Sequence, residues 1–228
     1  MSKILNRIFL STILCFAGIS HAAIPVIEDF EAGLGSWEPN TTQTNITHEA
    51  TGGNPDGYLV TDNLRRPQNF HTVGAVNKTS DYSGVFAEGV WTISVDLNFL
   101  RGDFDDARLR FRFQDSTANG WYISLEDTVF ENEWTSYAIK FDTTWDDADA
   151  QNAGWVKEAD GPTATPSFND LWDNVYTSEV RILGTPNSNT LLAGIDNYQA
   201  SIVPIPAAVW LLGSGLLAFM SLTRRKID

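Results

Sequence analysis

Trp91-Thr92-Ile93-Ser94-Val95-Asp96-Leu97-Asn98-Phe99 alternates a large apolar residue with a polar one over nine positions. A period of two is the mark of a strand with one buried face and one wet face, so this stretch predicts antiparallel β-structure. The pattern recurs on both sides. Leu109, Phe111 and Phe113 alternate with Arg108, Arg110 and Arg112; Trp121, Ile123 and Leu125 repeat it; Trp134, Tyr137, Ile139 and Phe141 follow a short gap. Val180 and Ile182 mark one later strand and Ile195 another. Turn-forming triplets, Arg101-Gly102-Asp103, Ala118-Asn119-Gly120 and Thr185-Pro186-Asn187, separate these runs. Helical periodicity is confined to 169–176, and no internal repeat is present. The chain is therefore expected to be all-β, an antiparallel sandwich of jelly-roll type.

The two ends of the chain have a different character. Residues 207–222 form an uncharged run of 16 residues, preceded by Val203-Pro204-Ile205-Pro206 and closed by Arg224-Arg225-Lys226. As a helix the run is about 24 Å long, somewhat less than a ~30 Å hydrocarbon layer. A membrane helix is expected, with Trp210 at an interface and the cations on the cytoplasmic side; a buried core helix is the alternative. At the other end, Lys3 and Arg7 precede an apolar run over 8–18, and Ser20-His21-Ala22 offers small residues around a cleavage point after Ala22. The expected divisions are a signal peptide at 1–22, a sandwich at 23–202 and a tail at 203–228. Cys15 is the only cysteine, so the domain is expected to have neither disulfides nor thiol chemistry.

The tail resembles the PEP-CTERM sorting signal of Gram-negative bacteria, on Val203, Pro204, Pro206, Trp210, Gly213, Ser214, Gly215, Arg224, Arg225 and Lys226. Ile205 stands where the name-giving motif has Glu. The resemblance implies export by the Sec machinery, transient insertion in the inner membrane and cutting by an exosortase near the prolines. The destination it implies is the cell surface or extracellular matrix.

The charge balance narrows the function. The chain has net charge −14. Setting aside the five basic residues of the two ends, and Asp228, leaves 10 cations against 28 acids, a net charge near −18. Nucleic-acid binding needs a basic footprint and is not expected. Eight tryptophans and thirteen phenylalanines argue against an acidic disordered chain.

The domain opens on Glu28-Asp29-Phe30-Glu31 with Gly35-Ser36-Trp37 and closes on Gly194-Ile195-Asp196-Asn197-Tyr198. These segments resemble the first and last strands of carbohydrate-binding and laminin-B-like jelly rolls. The resemblance implies that the two strands lie side by side and that the closing Asp helps to hold a structural calcium. Glu28, Glu31 and Asp196 are the expected metal ligands, with backbone carbonyls of Thr51-Gly52-Gly53-Asn54 completing the shell.

No catalytic constellation is apparent. His48 and His71 lie in polar surroundings without a zinc motif. Acidic pairs such as Asp103 with Asp105, or Asp146 with Asp149, are what a chain this acidic produces by chance. The segment 142–174 has the least strand pattern and carries Trp145, Trp155 and Trp172 among acids. Aromatic rings stack on the apolar faces of sugars, so these three are the expected glycan platform; sealing one end of the core is the alternative. A non-enzymatic polysaccharide-binding or structural module is the expected function, with a secreted glycosidase or lyase as the alternative.

Overall fold

The computed structural model describes residues 26–63, 72–78, 86–102, 108–125, 133–183 and 191–203. The alternating stretch at 91–99 is the centre of the longest strand, β6 (Val90–Arg101). It lies in a sheet with β3 (Asn45–Glu49), β4 (Tyr58–Asp62), β9 (Thr135–Asp142) and β12 (Leu192–Ile202), in the order β3-β4-β12-β6-β9. β1 (Val26–Glu28) pairs with β12 off this path. The second sheet runs β10-β8-β7-β11-β5-β2, built from β2 (Trp37–Pro39), β5 (Thr72–Asn77), β7 (Arg108–Gln114), β8 (Asn119–Leu125), β10 (Trp155–Ala159) and β11 (Thr177–Leu183). Every pairing is antiparallel. The expected β-sandwich is the observed fold.

The core lies between the two sheets. Trp91, Ile93, Val95 and Leu97 of β6 contribute one wall, and Leu109, Phe111 and Phe113 of β7 with Trp121 of β8 contribute the other; all are fully buried. Each such side chain contributes about 1.5–3 kcal/mol through its removal from water. The opening and closing strands are adjacent, with Val26 opposite Ala200 and Glu28 opposite Tyr198. Just before that contact β12 bulges. Its register against β6 shifts between Asp196 and Gln199, and Asn197 takes a positive φ of 48°, a conformation Asn tolerates better than most residues.

The segment 142–174 is more regular than its sequence pattern indicates. It contains α1 (Asp147–Asn152), β10, and α2 (Phe168–Leu171). Asp146 caps α1 by accepting the Ala148 and Asp149 N–H groups at 2.8 and 2.9 Å. Asp147 then ties the segment together, bonding the Phe168 N–H at 2.8 Å and Lys157 of β10 at 2.7 Å. The expected turn at Ala118-Asn119-Gly120 falls two residues early, at 116–118, because Asn119 already belongs to β8. His71, the triplet at 185–187 and the sorting tail beyond Val203 lie outside the described residues, as does the signal segment. Among the described residues no helix is long and apolar enough to cross a membrane.

Candidate functional site

Three places bear on function: the tryptophan segment, the acidic turn beside β12, and the outward face of the second sheet. The first requires a correction. Trp155 is 2% exposed and Trp172 is 1% exposed, so neither ring is open to a ligand. Trp172 stacks on Phe141 with centroids 4.3 Å apart, and Trp155 meets Phe141 and Phe168 edge-on at 5.4 and 5.1 Å. The indole N–H of each is buried without a hydrogen-bond partner among the described residues. Only Trp145 is partly exposed, and it lies over Phe168 at 6.2 Å. The segment folds back on the sandwich through α1, β10 and α2, and its aromatic rings go inward, where they pack on Phe86, Phe113 and Phe141 of the core.

The acidic turn brings the expected Glu31 and Asp196 together with Asp96, Asn54 and Asn197. Glu28 faces Tyr198 across the β1–β12 pair, beside Gly35. Asp196, fully buried, lies opposite Asp96 of β6. It accepts the Asn54 N–H at 2.6 Å and the Asn197 N–H at 2.7 Å. Asp96 accepts from the side-chain amides of Asn54 and Asn197 at 3.1 and 2.9 Å. The carboxylate of Glu31 receives the N–H groups of Asp56 and Gly57 at 3.3 and 3.2 Å. A side chain at Gly53 would press to 2.8 Å from the Asp196 carboxylate and 2.5 Å from the Gly57 carbonyl, so only glycine fits this turn. The oxygens suit calcium in kind, but they are already hydrogen-bonded. Among the described residues no three acidic or metal-binding side chains are arranged around one ion.

Burial pushes the Asp196 carboxyl up to about 6, against the backbone N–H bonds from Asn54 and Asn197, and the charges of Asp96 and Glu31 push the same way. In the unfolded chain the group titrates near 3.9. The folded state thus holds the proton more tightly, and the stability this adds is complete below about pH 4 and lost as pH rises through about 6. The loss amounts to about 3 kcal/mol. In EDTA, Asp196→Asn should flatten the fall in melting temperature between pH 4 and pH 7. An unchanged pH slope would show that Asp196 does not set it.

The outward face of the second sheet was not anticipated as a site. In β7 the apolar residues point inward, and Arg108, Arg110, Arg112 and Gln114 point the other way. Register brings each arginine a set of neighbours. Arg110 lies opposite Ser124 of β8 and Arg181 of β11; Arg112 lies opposite Tyr122 and Glu179. Arg112 is bonded to Glu158 and Asp160, and to Glu179 at 3.2 Å. Glu179, 2% exposed, also holds Arg181 through two bonds of 2.7 and 3.1 Å and accepts from Asn40 at 3.0 Å. Burial alone would lower the Arg112 pKa, but Glu179 and Glu158 outweigh it and hold it above its usual range.

Arg110 is held differently. Its guanidinium lies over the Tyr122 ring at 3.8 Å from the centroid, and its Nε reaches the Ser124 Oγ at 3.4 Å. Beside Tyr122 across the β8–β10 pair is Val156, which is 43% exposed. The patch thus combines an aromatic ring, an exposed aliphatic side chain, a hydroxyl and guanidinium donors on one sheet surface. Such a mix can accept the apolar face of a sugar ring and hydrogen-bond its rim. The sequence signal was the arginine alternation at 108, 110 and 112. Its partners come from three other strands, so the cluster could not be read locally.

No family model matches the chain, and no curated protein matches it. Solved structures do. A family 11 carbohydrate-binding module from Clostridium thermocellum, in complex with a β-1,3-1,4-mixed-linked tetrasaccharide, is 13% identical with a TM-score of 0.51, covering 78% of this chain and 96% of that one. A family 11 module studied in solution for dynamics and binding is 14% identical at a TM-score of 0.51, covering 82% of this chain and 100% of that one. An exo-β-agarase matches at 12% identity and a TM-score of 0.51, over 78% of this chain and 24% of its own. At these identities the likeness establishes the fold, a jelly-roll sandwich.

Proposed function

We propose that this chain is a non-enzymatic polysaccharide-binding module whose ligand lies across the outward face of β10, β8, β7 and β11. The observation that carries this reading is the Val156–Tyr122–Arg110–Ser124 patch, where ring, aliphatic and donor groups share one rigid sheet surface. Its fold neighbours supply a prior: one of them is a binding module seen with a bound oligosaccharide. A hydrolase would need a carboxyl that keeps a proton near the reacting bond. On this face Glu158 and Glu179 are instead paired with Arg112, which favours binding over hydrolysis. The full chain in detergent should be retarded in gels containing a bound polysaccharide. Tyr122→Ala should abolish that retardation while costing only about 1 kcal/mol of stability, because the ring is half-buried. Retardation unchanged by this substitution would move the site elsewhere.

The same proposal includes export by Sec, transient membrane insertion, exosortase cutting and display outside the cell. It rests on the composition of 1–22 and 203–228. Mass spectrometry of the native protein should find a first residue near Ala23 and a last residue near Pro204–Pro206. Recovery of Arg224 and Arg225 on the product, in cells with a working exosortase, would refute it. Calcium remains part of the reading at Glu31 and Asp196, whose carboxylates converge on the 53–57 turn and repel each other. Glu28, on β1 beside β12, is the third ligand of this reading.

A further inference from the structure

Resting on the glycan-binding reading above, we infer that the ligand is anionic: a sugar bearing a carboxylate or sulfate, received by Arg110. The four guanidinium groups of this face differ in what already satisfies them. Arg112 is paired with three carboxylates, and Arg181 is paired twice with Glu179. Arg110 has no ion pair among the described residues, and neither has Arg108, two positions along the same strand. Among the described residues the only hydrogen bond of Arg110 uses Nε, toward Ser124. Among the described residues its two terminal nitrogens bond to nothing, and they form a fork on a guanidinium whose central carbon lies over the Tyr122 ring. A planar fork of this kind matches an anionic group through two parallel charge-assisted bonds.

The surroundings sharpen the preference. Burial depresses the pKa of Arg110; Tyr122 and Glu158 oppose this, and Arg181 and Arg112 add to the depression. The cation therefore lies in a half-buried place beside two others of its own sign, where an incoming anion relieves both costs. Among the described residues the face carries four arginines, Arg108, Arg110, Arg112 and Arg181, against Glu158, Asp160 and Glu179. It is locally cationic on a chain of net charge −14. At physiological ionic strength charges are screened beyond about 8 Å. The bulk acidity then discourages indiscriminate polyanion binding, while the local fork acts at contact range.

The test uses the full chain in detergent, with EDTA present so that calcium cannot bridge acidic protein and acidic polymer. Affinity electrophoresis would compare polygalacturonate, dextran sulfate and a neutral mixed-linkage β-glucan. Retention on either anionic polymer, weakening as NaCl is raised, is expected, and the stronger of the two identifies the anion. Arg110→Gln should weaken it about tenfold to a hundredfold, the range for lost hydrogen bonds to a charged group. Arg110→Lys, which keeps the charge but not the fork, should lie between, and it serves as the readout if the glutamine variant melts early. Neutral glucan held as tightly as both anionic polymers would overturn the anionic assignment and leave the glycan reading intact. Anionic retention undiminished in both variants would overturn the role of Arg110. Failure to retain any polymer would defeat the glycan reading itself, and this inference with it.

Discussion

Trp172→Ala should lower the free energy of unfolding by about 3–5 kcal/mol, measured by denaturant melting, and should leave any polysaccharide retention unchanged at temperatures where the variant is folded. Trp172 contacts Phe86, Phe113, Phe141, Trp155 and Phe168 through ring centroids 4.3–5.9 Å apart. Removing it opens a cavity among side chains already locked by one another. Trp172→Phe should cost only about 1–2 kcal/mol, because most of the ring remains and the buried N–H without a partner is removed. A Trp172→Ala variant of near-native stability, with retention lost, would restore the platform that the burial of Trp172 argues against.

The second large effect is expected at Arg112. Arg112→Met should cost about 3 kcal/mol, because Glu179 would keep its charge in a place water barely reaches and the partly buried Glu158 would lose its partner. The loss is moderated at Glu179, which retains Arg181 and Asn40. Arg112→Lys should recover about half of the loss, since one ammonium cannot serve three carboxylates fixed around a planar fork. A methionine variant as stable as the parent would mean that these carboxylates take up protons or find water instead.

The strands most legible in the sequence were those with one dry and one wet face. β6, β7, β8 and β9 carry large residues at every second position, and each lies where that alternation placed it. β4 and β5 gave no such signal because both their faces are largely buried. In β5 all residues after Thr72 are buried, polar Asn77 among them. β1 and β2 are three residues each, too short for a period to show. β10 was hidden because its outward residues, Val156 and Glu158, resemble a loop until they are paired with Tyr122 and Gly120. The tryptophans of 142–174 need cover on composition alone, but sequence cannot say whether a neighbour or a ligand provides it. The arginine face depends on register across four strands, and register is a property of the assembled sheet.

The position of β12 has a mechanical consequence. It is eleven residues long and lies inside its sheet, bonded to β6 along one edge and to β4 and β1 along the other. The chain leaves the sandwich from its end, through Val203, whose N–H is bonded to the Val90 carbonyl at 2.7 Å. A pull along this exit runs parallel to the strand and across its hydrogen bonds, which lie perpendicular to it. The ladder is then loaded in shear, many bonds at once, rather than peeled open one by one. A domain drawn by its last strand would hold its shape under tension.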